Sequence, residues 1–400
     1  MAKYLLFSPP AHGHVNPTLA LAQELVARGE QVIYYLPETF RSLVEATGAT
    51  FRLYRTTMRA GGPAAQPNKK EDPAGRMMNM VVQECFNVLP QLLQEIRAEQ
   101  IDYILYDRMF LPAIFLSLIL DIPAVSLNPT YVLNNLFQEM QGDGREQILT
   151  PLNEDLARLC DLYQLPPFTL PELLLERADL NIVFLPRSFH PGGEDLDEQR
   201  YLFVGPSLQT HRYYNGDFPL DRLDKHPQLY ISLGTAFNHQ IEFYNLCFDA
   251  FAQSKWQVVL AFGQTIDPAG LKEIPANFII SPHVPQLEVL PHVDVFVSHG
   301  GMNSTMESLS FGVPLVVVPQ IGEQEMTARR VQKLGLGLAL DRETLSAETL
   351  LATVEQVASD LNIHIRTQAM QQKIHQTGGA MQAVDAIMRY TWSTRRVREE

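Results

Sequence analysis

A histidine and an aspartate in the first half of the sequence have the chemistry of a general base and its partner. His14 lies in Ser8-Pro-Pro-Ala-His-Gly-His-Val-Asn-Pro17, where two prolines and a glycine predict a turn after the first strand. The next helix is expected to begin near Pro17, which places His14 in a loop at that strand's carboxyl end. Asp107 ends Tyr103-Ile-Leu-Tyr-Asp107, another predicted strand of the same sheet. An imidazole can take a hydroxyl proton, and a carboxylate can fix its tautomer and stabilise the imidazolium. A capping or hydrogen-bonding role in the loop is the alternative for His14.

A glycine turn in the second half has the features of a phosphate site. The apolar run Val293-Asp-Val-Phe-Val297 ends at Ser298-His-Gly-Gly301, and a helix-compatible segment follows over residues 302–311. A strand that ends in glycines and then opens a helix presents backbone N–H groups and the positive end of the helix dipole to an anion. Because residues 293–311 contain no Lys or Arg, the anion would be held by backbone, hydroxyls and the imidazole of His299.

A second polar turn follows the next predicted strand. The run Leu315-Val-Val-Val318 leads into Pro319-Gln-Ile-Gly-Glu-Gln324. Ligands of open parallel sheets bind at the carboxyl ends of the strands. A phosphate and a polyhydroxyl group could therefore be bound side by side at these two turns.

Two other patterns have the spacing of metal ligands. His12 and His14 form a His-x-His pair, but no third ligand lies at a convincing spacing. His12 is interpreted as an acceptor contact or as a residue that orders the loop. Asp195-Leu-Asp197 lies in a charged run far from the glycine turn and is interpreted as solvated surface. We predict no metal site.

Two parallel sheets are needed to position these residues. Short apolar runs alternate with helical patterns in both halves of the chain, which predicts an α/β protein with two Rossmann-like domains that face each other across a cleft. The first helix is expected to end at Gly29. The predicted strands are Tyr4–Ser8, Gln31–Leu36, Thr50–Tyr54, Tyr103–Tyr106, Ala124–Ser126, Leu180–Leu185, Leu202–Val204, Gln228–Leu233, Val258–Ala261, Phe278–Ile280, Val293–Ser298, Leu315–Val318 and Leu336–Leu340.

The length of 400 residues exceeds what one hydrophobic core normally organises. Residues 1–208 are predicted to form the first domain and residues 227–380 the second. Residues 209–226 are polar and aperiodic, which is typical of a linker. Residues 381–400 are expected to form a C-terminal helix.

Composition restricts the possible partners and the location. A formal net charge of −14 argues against nucleic-acid binding, which requires basic residues against phosphates, but not against a small nucleotide in a local cleft. No apolar run approaches the roughly 20 residues that span a bilayer, and the N-terminus lacks a signal-peptide pattern. Three cysteines lie far apart, at positions 85, 160 and 247. We expect a cytoplasmic protein without stable membrane insertion.

The segment from His283 to Gln324 resembles the nucleotide-sugar signature of family-one glycosyltransferases, the group that contains plant secondary-product and bacterial macrolide enzymes. The resemblance to the bacterial macrolide type extends along the whole chain, and it implies the GT-B fold. The matching elements are Pro285-Gln286, His299, Gly301, Asn303-Ser304, Glu307, Gly312-Val-Pro314, Pro319 and Gln324.

The resemblance implies roles for individual residues. The second histidine of His12-Gly-His-Val-Asn-Pro17 matches the family's base, and Asp107 matches its partner. The first domain would then bind the acceptor and the second a nucleotide-sugar donor. The helix of residues 381–400 would cross back to the first domain. At the donor site, the phosphates would contact His299, the N–H groups near Gly301, Asn303, Ser304 and Thr235. Glu307 would bind the ribose, and Gln286 and the Val284 backbone would contact the base region. Glu323 and Gln324 would hold the sugar.

Two positions depart from the family's pattern. His283 stands where most relatives have the tryptophan that stacks on uracil, so base selectivity and donor affinity stay open. Glu323 replaces the commoner aspartate, which leaves the identity of the sugar open between glucose and a deoxysugar. An apolar acceptor pocket is expected in the first domain, although ordinary core packing is the alternative for its residues, which are Met77, Met80, Phe86 and Phe137 together with the polar His12.

The sequence therefore predicts an inverting, metal-independent UDP-glycosyltransferase that moves a sugar, with glucose as first choice, to a hydroxyl of an apolar small molecule such as a macrolide, flavonoid or terpenoid. The UDP-sugar is a co-substrate and no other cofactor is expected. Three alternatives stay open: a nucleotide-sugar epimerase or hydrolase of the same fold, a TDP-deoxysugar transferase, and a non-catalytic sugar-nucleotide sensor.

Overall fold

The computed structural model describes residues 1–58, 73–132, 143–175, 178–208, 218–223, 227–235, 238, 240–264 and 266–399. The chain divides into two compact units. Unit 1 comprises Met1–Leu208 together with Gly378–Glu400, and unit 2 comprises Gln209–Thr377. Most of the predicted linker, residues 209–226, lies outside the described part, and its described piece contains a short 3₁₀ turn at Leu220–Arg222.

Unit 1 contains a seven-stranded sheet in the order β3-β2-β1-β4-β5-β6-β7, with every pairing parallel. Because helices cover both faces, most of the strands are apolar runs, whereas the edge strand β3 is largely exposed. The strands are β1 (Lys3–Phe7), β2 (Gln31–Leu36), β3 (Thr50–Leu53), β4 (Tyr103–Asp107), β5 (Ala124–Asn128), β6 (Leu180–Val183) and β7 (Tyr201–Phe203).

Successive residues of each strand point to opposite faces of the sheet and enter two separate cores. The helices of unit 1 are α1 (His12–Ala27), α2 (Arg41–Glu45), α3 (Pro73–Ile96), α4 (Leu111–Leu120), α5 (Asp143–Tyr163), α6 (Leu170–Leu175) and the last described helix, α13 (Gly379–Glu399). Leu5 and Phe7 of β1 belong to the core formed with α3, α4, α5 and α6, whereas Tyr4 and Leu6 belong to the core formed with α1 and α13.

The start of α1 corrects one sequence-based prediction. The helix begins at His12 and not near Pro17, so His14 lies in its first turn and not in a loop. The turn after β1 is short, because the Ala11 N–H already bonds to the Pro9 carbonyl and the Ala11 carbonyl accepts from His14 and Val15. Pro17 is accommodated inside the helix close to its N-terminus. The predicted end is confirmed: the helix ends at Ala27, and Gly29 has a φ of +85°.

Unit 2 contains a six-stranded, fully parallel sheet in the order β10-β9-β8-β11-β12-β13. Its strands are β8 (Gln228–Ser232), β9 (Gln257–Ala261), β10 (Phe278–Ser281), β11 (Val295–Ser298), β12 (Leu315–Val317) and β13 (Gly337–Ala339). Its helices are α7 (Ile241–Phe251), α8 (Gln286–Val289), α9 (Met302–Ser310), α10 (Gly322–Leu334), α11 (Ala347–Ser359) and α12 (Leu361–His375).

Two parallel α/β units of this kind confirm the predicted class, an α/β protein with two Rossmann-like domains. Among the helices of the described segments, none has both the length and the apolarity to cross a membrane. Cys85, Cys160 and Cys247 are buried.

Candidate active site

The predicted histidine–aspartate pair lies at the centre of the unit 1 sheet. β1 and β4 are neighbours, and the chain continues from them in opposite directions, toward β2 on one side and β5 on the other. Such a switch point is where open parallel sheets bind ligands. His14 in the first turn of α1 follows β1, and Asp107 is the last residue of β4. The structure brings them together, with 2.8 Å between His14 Nδ1 and Asp107 Oδ2.

This contact fixes the protonation pattern of the imidazole. A carboxylate only accepts hydrogen bonds, so Nδ1 carries a proton, and in the neutral imidazole Nε2 then holds the lone pair. Asp107 is 1% exposed, and its second oxygen accepts the Met109 N–H at 2.9 Å. His14 is 26% exposed. The pair therefore consists of a buried, immobilised carboxylate and an imidazole that is partly open to solvent.

A buried hydroxyl pair supports the first turns of α1. Thr18 Oγ1 lies 2.6 Å from the Tyr34 hydroxyl and donates to the Val15 carbonyl at 2.7 Å. Burial raises the pKa of the Tyr34 phenol well above its usual range, so this hydroxyl stays neutral beside the charge of Asp107. Sequence reasoning missed both residues, although a tyrosine and a threonine in otherwise apolar runs are a usable signal, since buried hydroxyls need partners.

The glycine turn of unit 2 lies at the equivalent switch point between β8 and β11. Gly301 is the N-cap of α9, no side chain caps this helix, and the first helical bond of the turn joins the Thr305 N–H to the Gly301 carbonyl at 3.0 Å. The N–H groups of residues 302–304 consequently face outward from the helix end. This is the predicted anion-binding geometry.

The ring of His299 is packed between two glycines. A Cβ on Gly234 would lie 2.6 Å from His299 Cε1, and a Cβ on Gly301 would overlap His299 Nε2. Burial lowers the pKa of His299 to about 4. The imidazole is therefore neutral at pH 7, and it contributes a hydrogen-bonding group to the turn and not a positive charge.

Gln286, Ser304 and Glu307 form one hydrogen-bonded group. Gln286 Nε2 donates to Glu307 Oε2 at 2.5 Å and to Ser304 Oγ at 3.4 Å. Gln286 is the first residue of α8, whereas Ser304 and Glu307 lie in α9. Glu307 is 1% exposed, which excludes the solvated helix charge that was the alternative for it. A buried carboxylate needs such partners, because removing it from water is costly.

The remaining predicted donor residues lie at the carboxyl edge of the same sheet. Thr235 is exposed in the turn after β8, and Asn303 is half-buried at the start of α9. After β10, His283 is exposed and Val284 is buried. In α10, Glu323 is exposed, while Gln324 is buried and its Oε1 accepts the Gln320 N–H at 2.7 Å, so its amide N–H₂ is the group that remains for a ligand.

The predicted acceptor residues do not form one surface. Met77 is exposed and Met80 half-buried on α3, but Phe86 lies nine residues from Met77, about two and a half turns, and so on the opposite side of the helix. Phe86 packs against the core, with the Arg158 guanidinium 5.4 Å from its ring. The exposed His12 lies 5.1 Å from the Phe40 ring, and Phe137 lies outside the described residues.

A metal site is not evident in the described part of the chain, where no group of three His, Cys, Asp or Glu side chains could hold an ion. Asp195 and Asp197 flank the buried Leu196 in a loop before β7, and Asp197 Oδ1 accepts the Gln199 N–H at 2.9 Å. This turn-forming bond fits the interpretation of the acidic run as surface.

Known proteins resemble both the sequence and the fold. Residues 225–381 match the family model described as UDP-glucoronosyl and UDP-glucosyl transferase. The chain is 44% identical to an NDP-glycosyltransferase, YjiC, of Bacillus licheniformis over 96% of each chain. It is 32% identical to the oleandomycin glycosyltransferase of Streptomyces antibioticus, over 96% of this chain and 90% of that one. The solved structure of the glycotransferase of kitacinnamycin superposes with a TM-score of 0.82 and 30% identity, over 97% and 98% of the two chains. The segment matched by the family model contains every predicted donor residue.

Proposed function

The chain belongs to the UDP-glucoronosyl and UDP-glucosyl transferase family and is a glycosyltransferase, and from this premise we propose that it is an inverting O-glycosyltransferase. We propose that it moves a sugar, glucose in the first instance, from a UDP-sugar to a hydroxyl of an apolar small molecule. The observation that carries the proposal is the 2.8 Å contact between His14 Nδ1 and Asp107.

The proposed step is a single displacement. His14 Nε2 removes the acceptor hydroxyl proton while the hydroxyl oxygen attacks the anomeric carbon from the side opposite the diphosphate. A carbon–oxygen bond to the acceptor forms as the bond to the diphosphate oxygen breaks, so the configuration inverts and UDP leaves. Asp107 stabilises the imidazolium, and the proton departs later from His14 to solvent. A positioned base of this kind contributes roughly 10²–10⁴-fold to the rate.

For the donor, we propose that the diphosphate binds at the start of α9. Its charge would be met by the outward N–H groups of residues 302–304, by Asn303 and Ser304, and by the hydroxyl of Thr235. His299 would act as a neutral hydrogen-bonding partner. A helix N-terminus stabilises an anion by about 0.3–2 kcal/mol. We expect this set to suffice without a metal ion, so transfer should persist in EDTA.

The other parts of the donor would extend along the same sheet edge. We propose that Glu307 accepts hydrogen bonds from ribose hydroxyls, that the base lies near the Val284 backbone and the exposed ring of His283, and that Glu323 with the Gln324 amide holds the sugar. The acceptor would bind in unit 1, where Met77 and Met80 offer an apolar surface on α3. The oleandomycin glycosyltransferase similarity supports a hydroxylated natural product as acceptor. We expect the enzyme to act in the cytoplasm.

The experiment that tests the proposal is product detection by mass spectrometry with UDP-glucose or TDP-glucose against a mixed library of hydroxylated aglycones. The wild-type protein should form glycosides, and His14→Ala should lose at least about 100-fold of the activity while binding UDP with unchanged affinity. Donor consumption without any acceptor would indicate a hydrolase or epimerase. Unchanged turnover in His14→Ala would reject the assignment of the base.

A further inference from the structure

A buried tyrosine of unit 2 is joined to the proposed donor site. Tyr230 is the third residue of β8 and is 1% exposed. Its hydroxyl donates to Gln286 Oε1 at 3.2 Å. Its ring stacks on Phe296, its partner in β11, with 4.5 Å between ring centroids and 17° between ring planes. Strand pairing and ring stacking together fix where this hydroxyl points.

Tyr230, Gln286 and Glu307 form a series of hydrogen bonds, and the carboxylate of Glu307 at one end fixes the direction of each bond. The carboxylate of Glu307 only accepts, so the Gln286 amide nitrogen faces it and the amide oxygen faces away. That oxygen meets the Tyr230 hydroxyl, which therefore donates. The bond from Tyr230 therefore stabilises the amide orientation in which Gln286 can donate to Glu307. If the hydroxyl were removed, the Gln286 oxygen would lose this partner and the side chain could rotate away from Glu307.

The orientation of Glu307 decides what its carboxylate can recognise. A carboxylate has about four lone-pair sites, so Glu307 can accept hydroxyl protons in addition to the bond from Gln286. Hydroxyl recognition by a buried, immobilised acceptor discriminates strongly against a ligand that lacks the hydroxyl, because the acceptor is then left without that partner.

We propose that Tyr230 is a positioning residue of the donor site, which acts through Gln286 to hold Glu307 against the ribose and so makes the protein prefer ribonucleoside over 2′-deoxyribonucleoside diphosphates. This inference rests on the proposed function, since it requires a nucleoside diphosphate with its ribose at Glu307. Neither the glycine turn nor the family signature includes Tyr230.

The test compares two ligands that differ by one hydroxyl, UDP and 2′-deoxyuridine diphosphate, by titration calorimetry. Wild-type protein should bind UDP at least about tenfold more tightly. Tyr230→Phe keeps the ring stack and removes only the hydroxyl. It should reduce this preference by about fivefold or more, with most of the loss falling on UDP. Tyr244→Phe is the matched control, because this buried hydroxyl of unit 2 donates to the Asn238 backbone carbonyl at 3.0 Å and not to the Gln286 chain.

A second pair of variants separates positioning from a general structural effect. If Tyr230 acts through Gln286, Tyr230→Phe should change the preference little when Gln286 is already alanine. Equal weakening of both ligands by Tyr230→Phe, or an unchanged preference, would overturn the inference while the proposed donor site stands. A wild-type protein that binds neither nucleotide would instead overturn the proposed function and the inference with it.

Discussion

His299 is an imidazole that the fold keeps uncharged. Its ring lies between Gly234 and Gly301, and burial lowers its pKa to about 4, against about 6.5 in an unfolded chain. Between these two pH values the unfolded chain binds a proton that the native protein does not. The contribution of the neutral His299 ring to the free energy of unfolding is therefore fully present above about pH 6.5. It is lost as the pH falls toward 4, by up to about 3 kcal/mol.

We predict that His299→Gln removes this part of the acid sensitivity. Urea unfolding at pH 7 and pH 5 should show a smaller loss of stability for the variant than for the wild-type protein, because glutamine takes up no proton. His292→Gln is the control, since His292 is an exposed histidine of the same unit and should leave the difference unchanged. An equal pH dependence in His299→Gln and wild type would contradict the assignment.

The residues of the site differ in how far the sequence reveals them. His14 and Asp107 are predictable because each follows an apolar strand run and carries a reactive group. Tyr230 is not, because its role depends on strand alternation, on its register with Phe296 and on a glutamine 56 positions away. The acceptor surface predicted on α3 could not be defined from the sequence, because the apolar Met77, Met80 and Phe86 look equivalent there. Only the helix shows that Phe86 lies opposite Met77.

Among the elements, the turn from β11 into α9 requires a glycine at position 301. Gly301 has a φ of −62°, which any residue can adopt, so its requirement is space for the His299 ring and not backbone freedom. We predict that Gly301→Ala weakens UDP binding by at least about tenfold, because the methyl group displaces a ring that Gly234 confines on its other side. Calorimetric titration with UDP measures this directly.

Gly322→Ala is the control for that variant. Gly322 begins α10 in the same sheet edge, and a Cβ there meets nothing within 4 Å. The Gly322→Ala variant should bind UDP with the same affinity as the wild-type protein. Equal affinity for UDP in Gly301→Ala and Gly322→Ala would show that the ring position is irrelevant to the anion.

The strands could be predicted because each is an apolar run between turn residues, and all the described strands match predicted ones within a few residues. The start of α1 could not. Pro17 suggested a first helical turn, but the Ala11 carbonyl already bonds to His14 and Val15, which starts the helix before the proline. A proline near a helix start marks the boundary only approximately.

On the scale of the whole molecule, the last helix, α13, belongs to unit 1, which also contains the N-terminal half of the chain. Ala383, Val384 and Ile387 of α13 are buried in the core of unit 1, and the Tyr103 hydroxyl donates to the Thr391 carbonyl at 2.6 Å. Unit 2 is continuous in sequence between the two parts of unit 1. Composition and periodicity predict two units, whereas the return of the last helix to the first unit is implied only by the family resemblance, because the core that receives a terminal helix depends on tertiary packing.

We predict that Ile387→Ala lowers the free energy of unfolding by about 2–5 kcal/mol, because it leaves a cavity in the unit 1 core. Met381→Ala on the same helix is the control, since Met381 is 61% exposed and should change stability by less than about 0.5 kcal/mol. Urea unfolding measures both. Equal stability of the two variants would show that α13 does not complete this core.

The placement of α13 also orders events during synthesis. Residues 1–208 leave the ribosome first. Their core, however, is incomplete on the side covered by α13 until residues 379–399 have left the exit tunnel. Unit 2, whose segment is uninterrupted, can reach its native form earlier. The nascent N-terminal half therefore keeps an apolar face uncovered until residues 379–399 emerge.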